Sequence, residues 1–197
     1  MAVTRVLGIV GSPRRGGNTE ILVDEALRGA REAGAAVEKV FLSELDISAC
    51  DACDACVDTG ECIIVDAMED LFPRMEQSQV WVLGTPVYWW GPSAQFKTFV
   101  DRWYAKAQRE ADKALFKGRR VILVVPMGDA DAGTARHVVG MMTDALKYVE
   151  AELCATVLAP GTNAAGDVLK FANVLAAAYG AGLAAARAGE GGATCGK

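Results

Sequence analysis

Five short apolar segments alternate with stretches of helical spacing along the chain, and this alternation restricts its fold more than any other feature. The segments are TRVLGIV (4–10), AVEKVFL (36–42), VWVLG (80–84), RRVILVVP (119–126) and ELCATVLAP (152–160). They are brief and rich in β-branched residues, which marks them as strands. The first helical stretch runs from Asn18 to about Gly34, with Leu22, Ala26, Leu27 and Ala30 at helical spacing. Asn18 is expected as its N-cap and Gly34 as the C′ glycine. Further helices are predicted at about Asp66 to Gln77, at 91–106 with Pro92 in the first turn, at 132–150, and at the Ala-rich 167–187. Apolar strands alternating with helices imply a parallel sheet covered on both faces. Right-handed crossovers then give three layers, and five strands favour the order 2-1-3-4-5.

That order is the flavodoxin-like, doubly wound α/β arrangement. A chain of 197 residues is expected to form one domain, here residues 1–188, with 189–197 as a flexible tail. The hydrophobic fraction is 52%, yet no apolar run approaches the ~18 residues of a membrane span. The start, MAVTRVLGIVGSP, stops at Gly-Ser-Pro and reads as a first strand, not a signal peptide. A cytoplasmic location is expected, where thiols stay reduced. A net charge of −5 argues against nucleic acid as a main partner. Residues 106–118, KAQREADKALFKG, read as a surface connection.

Ligands of such sheets bind beyond the carboxyl ends of the strands, where strand order reverses. Three loops meet there. The first, GSPRRGGNTE (11–20), lacks the Gly-Lys-Ser/Thr ending of a P-loop and is not GxGxxG. It carries the hydroxyls of Ser12 and Thr19, the amide of Asn18, two guanidiniums, and glycines such as Gly17 that let backbone N–H groups near a ligand. It also runs into a helix N-terminus, which favours an anion. The loop could be an ordinary glycine-rich turn; its residue set favours a phosphomonoester site, with Arg14 binding bidentately and Arg15 solvated. The second loop, GTPVYWWGPSAQ (84–95), offers Pro86, Val87, Tyr88 and Trp89 as a wall against a flat ring, while one of its three aromatics is expected in a core or interface. The third, PMGDADAG (126–133), brings Met127 and Gly128, whose backbone can approach ring oxygens. A phosphate at one end and a flat, hydrogen-bonding ring at the other describe FMN.

Four thiols, Cys50, Cys53, Cys56 and Cys62, occur with the spacing C-x2-C-x2-C-x5-C in the loop 50–62. A disulfide framework does not suit a reducing compartment. Zinc usually takes two separated cysteine or histidine pairs, which this run matches poorly. A four-iron–four-sulfur cluster fits better, since each thiolate can take a different iron while the chain wraps around it. Gly60 can supply the turn that returns Cys62, Ala52 and Ala55 are small, and Asp51 and Asp54 are expected in water. Zinc or idle thiols stay as the alternative. Cys154 reads as a small core residue and Cys195 as incidental. His137, the only histidine, reads as an exposed helical side chain, and Glu69 and Asp70 as a solvated helix face. No Ser-His-Asp or Cys-His arrangement stands out, so no catalytic residue is assigned.

GSPRRGGNTE followed by PVYWWGPSAQFKTFVDR resembles the NAD(P)H-dependent FMN reductase superfamily, and with the cysteine motif and CIIVDAM the chain resembles its iron–sulfur flavoproteins. The resemblance is specific from Arg5 to Asp101. It implies that Ser12, Arg14, Asn18 and Thr19 hold the FMN phosphate and that Pro86 through Trp89 contact the isoalloxazine. In the third loop acids, Asp129 among them, stand where the family pattern has glycines. The resemblance also implies ferredoxin-like donors, small oxidants and NAD(P)H as a possible donor. The expected function is an FMN and iron–sulfur redox protein; the alternatives are an NAD(P)H-dependent FMN or quinone reductase without a cluster, and a phosphate-binding module without redox chemistry. A homodimer or higher homo-oligomer is expected, because the second strand lies at the sheet edge and the cysteines after it stand several strand widths from the ring loops.

Overall fold

The structure, a computed structural model, describes residues 3–188. Strands β1 (Arg5–Val10), β2 (Ala36–Phe41), β3 (Val80–Gly84), β4 (Arg120–Pro126) and β5 (Glu152–Ala159) form one parallel sheet in the order β2-β1-β3-β4-β5. The helices are α1 (Asn18–Glu32), α2 (Cys56–Thr59), α3 (Met68–Glu76), α4 (Ala94–Asp101), α5 (Tyr104–Ala107), α6 (Arg136–Tyr148) and α7 (Ala172–Arg187). The order and the three layers match the expectation from the sequence.

The central strands are apolar throughout because successive side chains enter two different cores. Leu7, Ile9, Trp81, Leu83, Val121 and Leu123 pack with residues of α3, α4 and α6 on one face. Val6, Val10, Val80, Val82, Ile122 and Val124 pack with α1 and α7 on the other. The four helical positions named in the first helix, Leu22, Ala26, Leu27 and Ala30, are all buried there. The many alanines and glycines of α7 have a steric reason. A Cβ on Gly29 would stand 2.0 Å from the Tyr179 carbonyl oxygen, and one on Gly182 would stand 1.8 Å from that of Ala26. Helices α1 and α7 therefore touch backbone to backbone.

Local chemistry moved several boundaries. The N-cap of α1 is Gly17, not Asn18. The far end behaves as predicted: Gly34 takes φ 87°, and the N–H groups of Gly34 and Ala35 donate to Arg31 (2.9 Å) and Ala30 (3.1 Å), a Schellman closure. Pro92 lies before α4, whose cap is Ser93, with its Oγ accepting from the Phe96 N–H at 3.2 Å. The helix expected over 91–106 breaks after Asp101 and resumes as α5. Its continuation is no simple surface connection, because Ala107, Leu115 and Phe116 are buried in the aromatic core around Trp81 and Trp103. The last helix starts at Ala172, behind a 3-10 turn over Asp167–Lys170. Cys154 is half-buried on the edge strand β5, not in the core. The expected tail, with Cys195, lies outside the described residues. No helix among the described residues is long and apolar enough to cross a membrane.

Candidate functional site

The loop after β1 leads into the first turn of α1, a place that favours an anion. Helix α1 begins with no side-chain cap, which leaves its first N–H groups to an outside acceptor. Ser12 is buried, and its Oγ accepts from the Arg14 N–H at 3.2 Å. Gly16 turns the chain at φ 64° and donates to Glu20 Oε2 at 2.7 Å. At Gly17 a Cβ would meet the Arg14 carbonyl oxygen at 2.8 Å, so a larger residue would distort the cradle. Burial acts to raise the Glu20 carboxyl, but hydrogen bonds from Lys39 and Gly16 outweigh it and hold it below its ordinary value. Glu20 thus stays ionised and fixes the turn from beneath.

The two arginines have separate tasks. Arg14 is exposed and donates one N–H to the Asn163 carbonyl at 3.1 Å, which steadies the guanidinium beside the α1 N-terminus. Arg15 is not merely solvated: it lies over the Phe41 ring at 3.5 Å and pairs with Glu44. Asn18 also differs from expectation. Its side-chain amide donates to Thr162 (3.1 Å) and Ala164 (2.8 Å), and its oxygen accepts from Val168 N–H at 3.0 Å. The side chain is committed to stitching α1 to the loop after β5, and only the backbone of Asn18 is left for a ligand.

The other two loops are tied to the first. Thr85 Oγ accepts from Ser93 N–H at 3.0 Å, and Ser93 Oγ donates to the Gly11 carbonyl at 2.5 Å. Val87 N–H donates to Pro126, and Met127 N–H donates to Ala159. Asp129 spends its acid locally: it accepts from Asp131 N–H at 3.0 Å and Thr134 Oγ at 2.8 Å, the first of which is the main cause of its lowered pKa. The acids in this loop therefore shape the turn that glycines would otherwise permit. Together the three loops enclose a cavity of about 270 Å³. Ser12, Arg14, Gly17, Asn18, Thr19, Pro86, Val87, Tyr88, Met127 and Gly128 line it.

Trp89 does not. Tyr88 and Gly91 exchange both backbone hydrogen bonds, at 2.9 and 3.0 Å, around a two-residue turn in which Trp89 and Trp90 both have positive φ. Turns of this form favour Asn-Gly, and bulky residues there are strained. The turn throws Trp89 outward to 91% exposure. Sequence reasoning also missed Pro126, Thr162 and Asn163, which complete the lining. The run PGTN after the fifth strand was the available signal, since a turn at a strand's carboxyl end faces the ligand side.

The cysteine loop folds against the segment that follows α4. Cys50 and Cys53 are exposed, Cys62 is half-buried and Cys56 is buried. Burial is the main cause that pushes the Cys56 thiol up, and charge on Cys62, Cys50 and Cys53 adds to it, so the other three thiols lie within electrostatic reach. Ala52 and Asp54, on either side of Cys53, take φ 56° and 57°, and Gly60 turns the chain at φ 75°. Asp51 and Asp54 are exposed, as expected, and each also accepts one hydrogen bond, Asp51 from Cys53 N–H at 3.3 Å and Asp54 from Tyr104 Oη at 2.9 Å. Arg102, which the sequence did not single out, donates to Cys62 Sγ at 3.5 Å. Among the described residues no three potential ligands stand close enough to share one metal ion. The donor set nevertheless suits an iron–sulfur cluster: four thiols on one curled loop, with a cation beside one sulfur. His137 is exposed on α6.

A flavodoxin-like sheet whose carboxyl-end loops set an uncapped helix start, Arg14 and Tyr88 around one cavity has the form of a flavin-binding α/β protein. Residues 4–166 match the family NADPH-dependent FMN reductase, and the chain belongs to that family. It is similar to an iron–sulfur flavoprotein of Archaeoglobus fulgidus, 36% identical over 143 residues, which is 73% of this chain and 62% of the relative. An iron–sulfur flavoprotein of Methanocaldococcus jannaschii is 40% identical over 98 residues, half of this chain (50%) and 51% of the relative. The chain thus spans about half to three-fifths of the length of these relatives. Among solved structures, an NAD(P)H:quinone oxidoreductase from Methanothermobacter marburgensis shares the fold, with a TM-score of 0.73 at 17% identity over 92% of this chain and 96% of that one.

Proposed function

We propose that the protein is an FMN-dependent oxidoreductase with a four-iron–four-sulfur cluster, exchanging electrons between a one-electron carrier protein and small acceptors. One observation carries the flavin part: ten residues chosen from the sequence line a single cavity at the carboxyl end of the sheet. The cysteine spacing and the names of the two relatives support the cluster part. FMN supplies one- and two-electron chemistry when bound, and the cluster supplies single electrons. The chain's own residues do the positioning. The α1 N-terminus and Arg14 neutralise a phosphate dianion. Gly17 admits it at close range, and Pro86, Val87 and Tyr88 orient a ring. Cys50, Cys53, Cys56 and Cys62 would hold the cluster.

The working unit in this reading is a homodimer. The cavity is smaller than the ~300–1,000 Å³ of pockets that bury most of a ligand, and its aromatic edge is open, with Tyr88 45% exposed. Trp89 and Trp90 on the turn, and Val57, Ile63 and Val65 on the cysteine loop, are exposed apolar groups of the kind a partner covers. The free thiols of Cys50, Cys53, Cys56 and Cys62 fit a cytoplasmic setting.

A second reading, an NAD(P)H-dependent FMN or quinone reductase without a cluster, is favoured by the family match over residues 4–166. Anaerobic reduction separates the two. The proposal predicts that Cys53→Ser keeps FMN but loses flavin reduction by a reduced ferredoxin. Equal ferredoxin-driven reduction in Cys53→Ser and the parent would overturn it, and rapid reduction of both by NADPH alone would favour the second reading.

A further inference from the structure

Arg102 and Asp66 form a buried ion pair, with side-chain exposures of 1% and 3%, at the mouth of the cysteine loop. From that point the guanidinium reaches both ends of the loop. Its Nη1 donates to the Ser48 carbonyl at 2.9 Å, two residues before Cys50. Its Nη2 donates to the Ile64 carbonyl at 3.3 Å, two residues after Cys62, and to Cys62 Sγ at 3.5 Å. Asp66 closes the same knot, accepting from the N–H groups of Ser48 and Met68, each at 2.9 Å. A buried charge pair costs desolvation energy, and well-packed apolar residues hold loops as firmly. Five donors in a planar fork, however, can bind two carbonyls, a carboxylate and a sulfur at once.

We propose that Arg102 is a positioning residue that fixes Cys62 and tunes the reduction potential of the four-thiolate site. This rests on the cluster reading above. A donor hydrogen bond to a ligand sulfur, with a fixed positive charge behind it, stabilises the reduced state of a cluster, which carries one more negative charge. Asp66 partly offsets that charge, so the pair sets the potential between two limits. The prediction is a pair of opposite shifts. Arg102→Gln removes the cation and drives the potential negative. Arg102→Lys keeps the charge without the fork and gives a smaller negative shift. Asp66→Asn leaves the cation unopposed and drives the potential positive.

The experiment uses full-length protein purified without oxygen and reconstituted with iron and sulfide. Iron, flavin and melting temperature are measured first, and the cluster is then titrated with dithionite and mediator dyes while its paramagnetic signal is followed. A parent without iron refutes the cluster reading itself, before any variant is made. With iron present, opposite shifts for Arg102→Gln and Asp66→Asn support the proposal. Unchanged potentials, or shifts in one direction for both, overturn it. Loss of iron from Arg102→Gln with flavin and melting temperature retained supports the positioning role. If the arginine variants lose their fold, the sign for Asp66→Asn decides: a positive shift supports the proposal, and a negative or absent shift overturns it.

Discussion

Arg14 is the cationic side chain of the cavity lining, and the proposed function gives it the phosphate. It stands beside an uncapped helix start, and its guanidinium is already steadied by the Asn163 carbonyl. Arg14→Ala should weaken FMN binding by about 1.5–3 kcal/mol, the loss of a charge-assisted hydrogen bond. Riboflavin, which has no phosphate, should bind both proteins nearly alike; fluorescence titration with each ligand checks this, and an equal loss for riboflavin would mean that Arg14 acts through folding. Asp66 makes a pH prediction. Burial tends to raise its carboxyl, but Arg102 and two backbone N–H groups outweigh that and hold it below the ordinary 3.8. A depressed carboxylate adds stability above its unfolded value, and that stability is lost as pH falls through the folded value. Denaturant unfolding from pH 7 to below about 4 should therefore show a steeper acid loss in the parent than in Asp66→Asn. A parallel loss in both would contradict the role given to the pair. That Ser12, Arg14 and Thr19 would line one cavity was legible in the sequence, because the loop after a first strand opens at the carboxyl end of the sheet. The amide of Asn18 was not, because its partners at 162–168 are distant in the chain.

At the scale of elements, strand and helix order could be read directly, since the period of the apolar residues changes from strand to helix. Boundaries set by side-chain capping could not. Ser93 replaced Pro92 at the start of α4 because its hydroxyl serves both Phe96 and Gly11. The segment 106–118 looked polar yet carries Leu115 and Phe116 into the core, a tertiary effect that no local pattern announces. The crossing of α1 with α7 gives a sharp test. Gly182→Ala places a methyl against the Ala26 carbonyl. It should cost about 1–3 kcal/mol and lower the melting temperature by roughly 2–4 °C per kcal/mol. Gly180→Ala, where an added Cβ meets nothing within 4 Å, is the control and should be neutral or stabilising. The aromatic turn is strained at Trp89 and Trp90. A Trp89→Asn, Trp90→Gly double variant should relieve the turn and weaken self-association, as sedimentation at several concentrations will show. Unchanged association would remove the turn from the interface.

For the whole molecule, the flavin cavity and the cavity beside Cys62 share no lining residue among those described. Separate linings are compatible with the twofold working unit proposed above, in which a partner joins the two. Mixing a Cys53→Ser chain with an Arg14→Ala chain should restore ferredoxin-driven flavin reduction above either parent variant, and no gain would rule out a route between subunits. The central claim is that one chain carries both a flavin and a cluster. The most direct measurement is the FMN, iron and acid-labile sulfide released per chain from protein purified without oxygen. About one FMN with about four irons and four sulfides per chain is the expected result. Stoichiometric zinc without iron, or a chain without flavin, would contradict it.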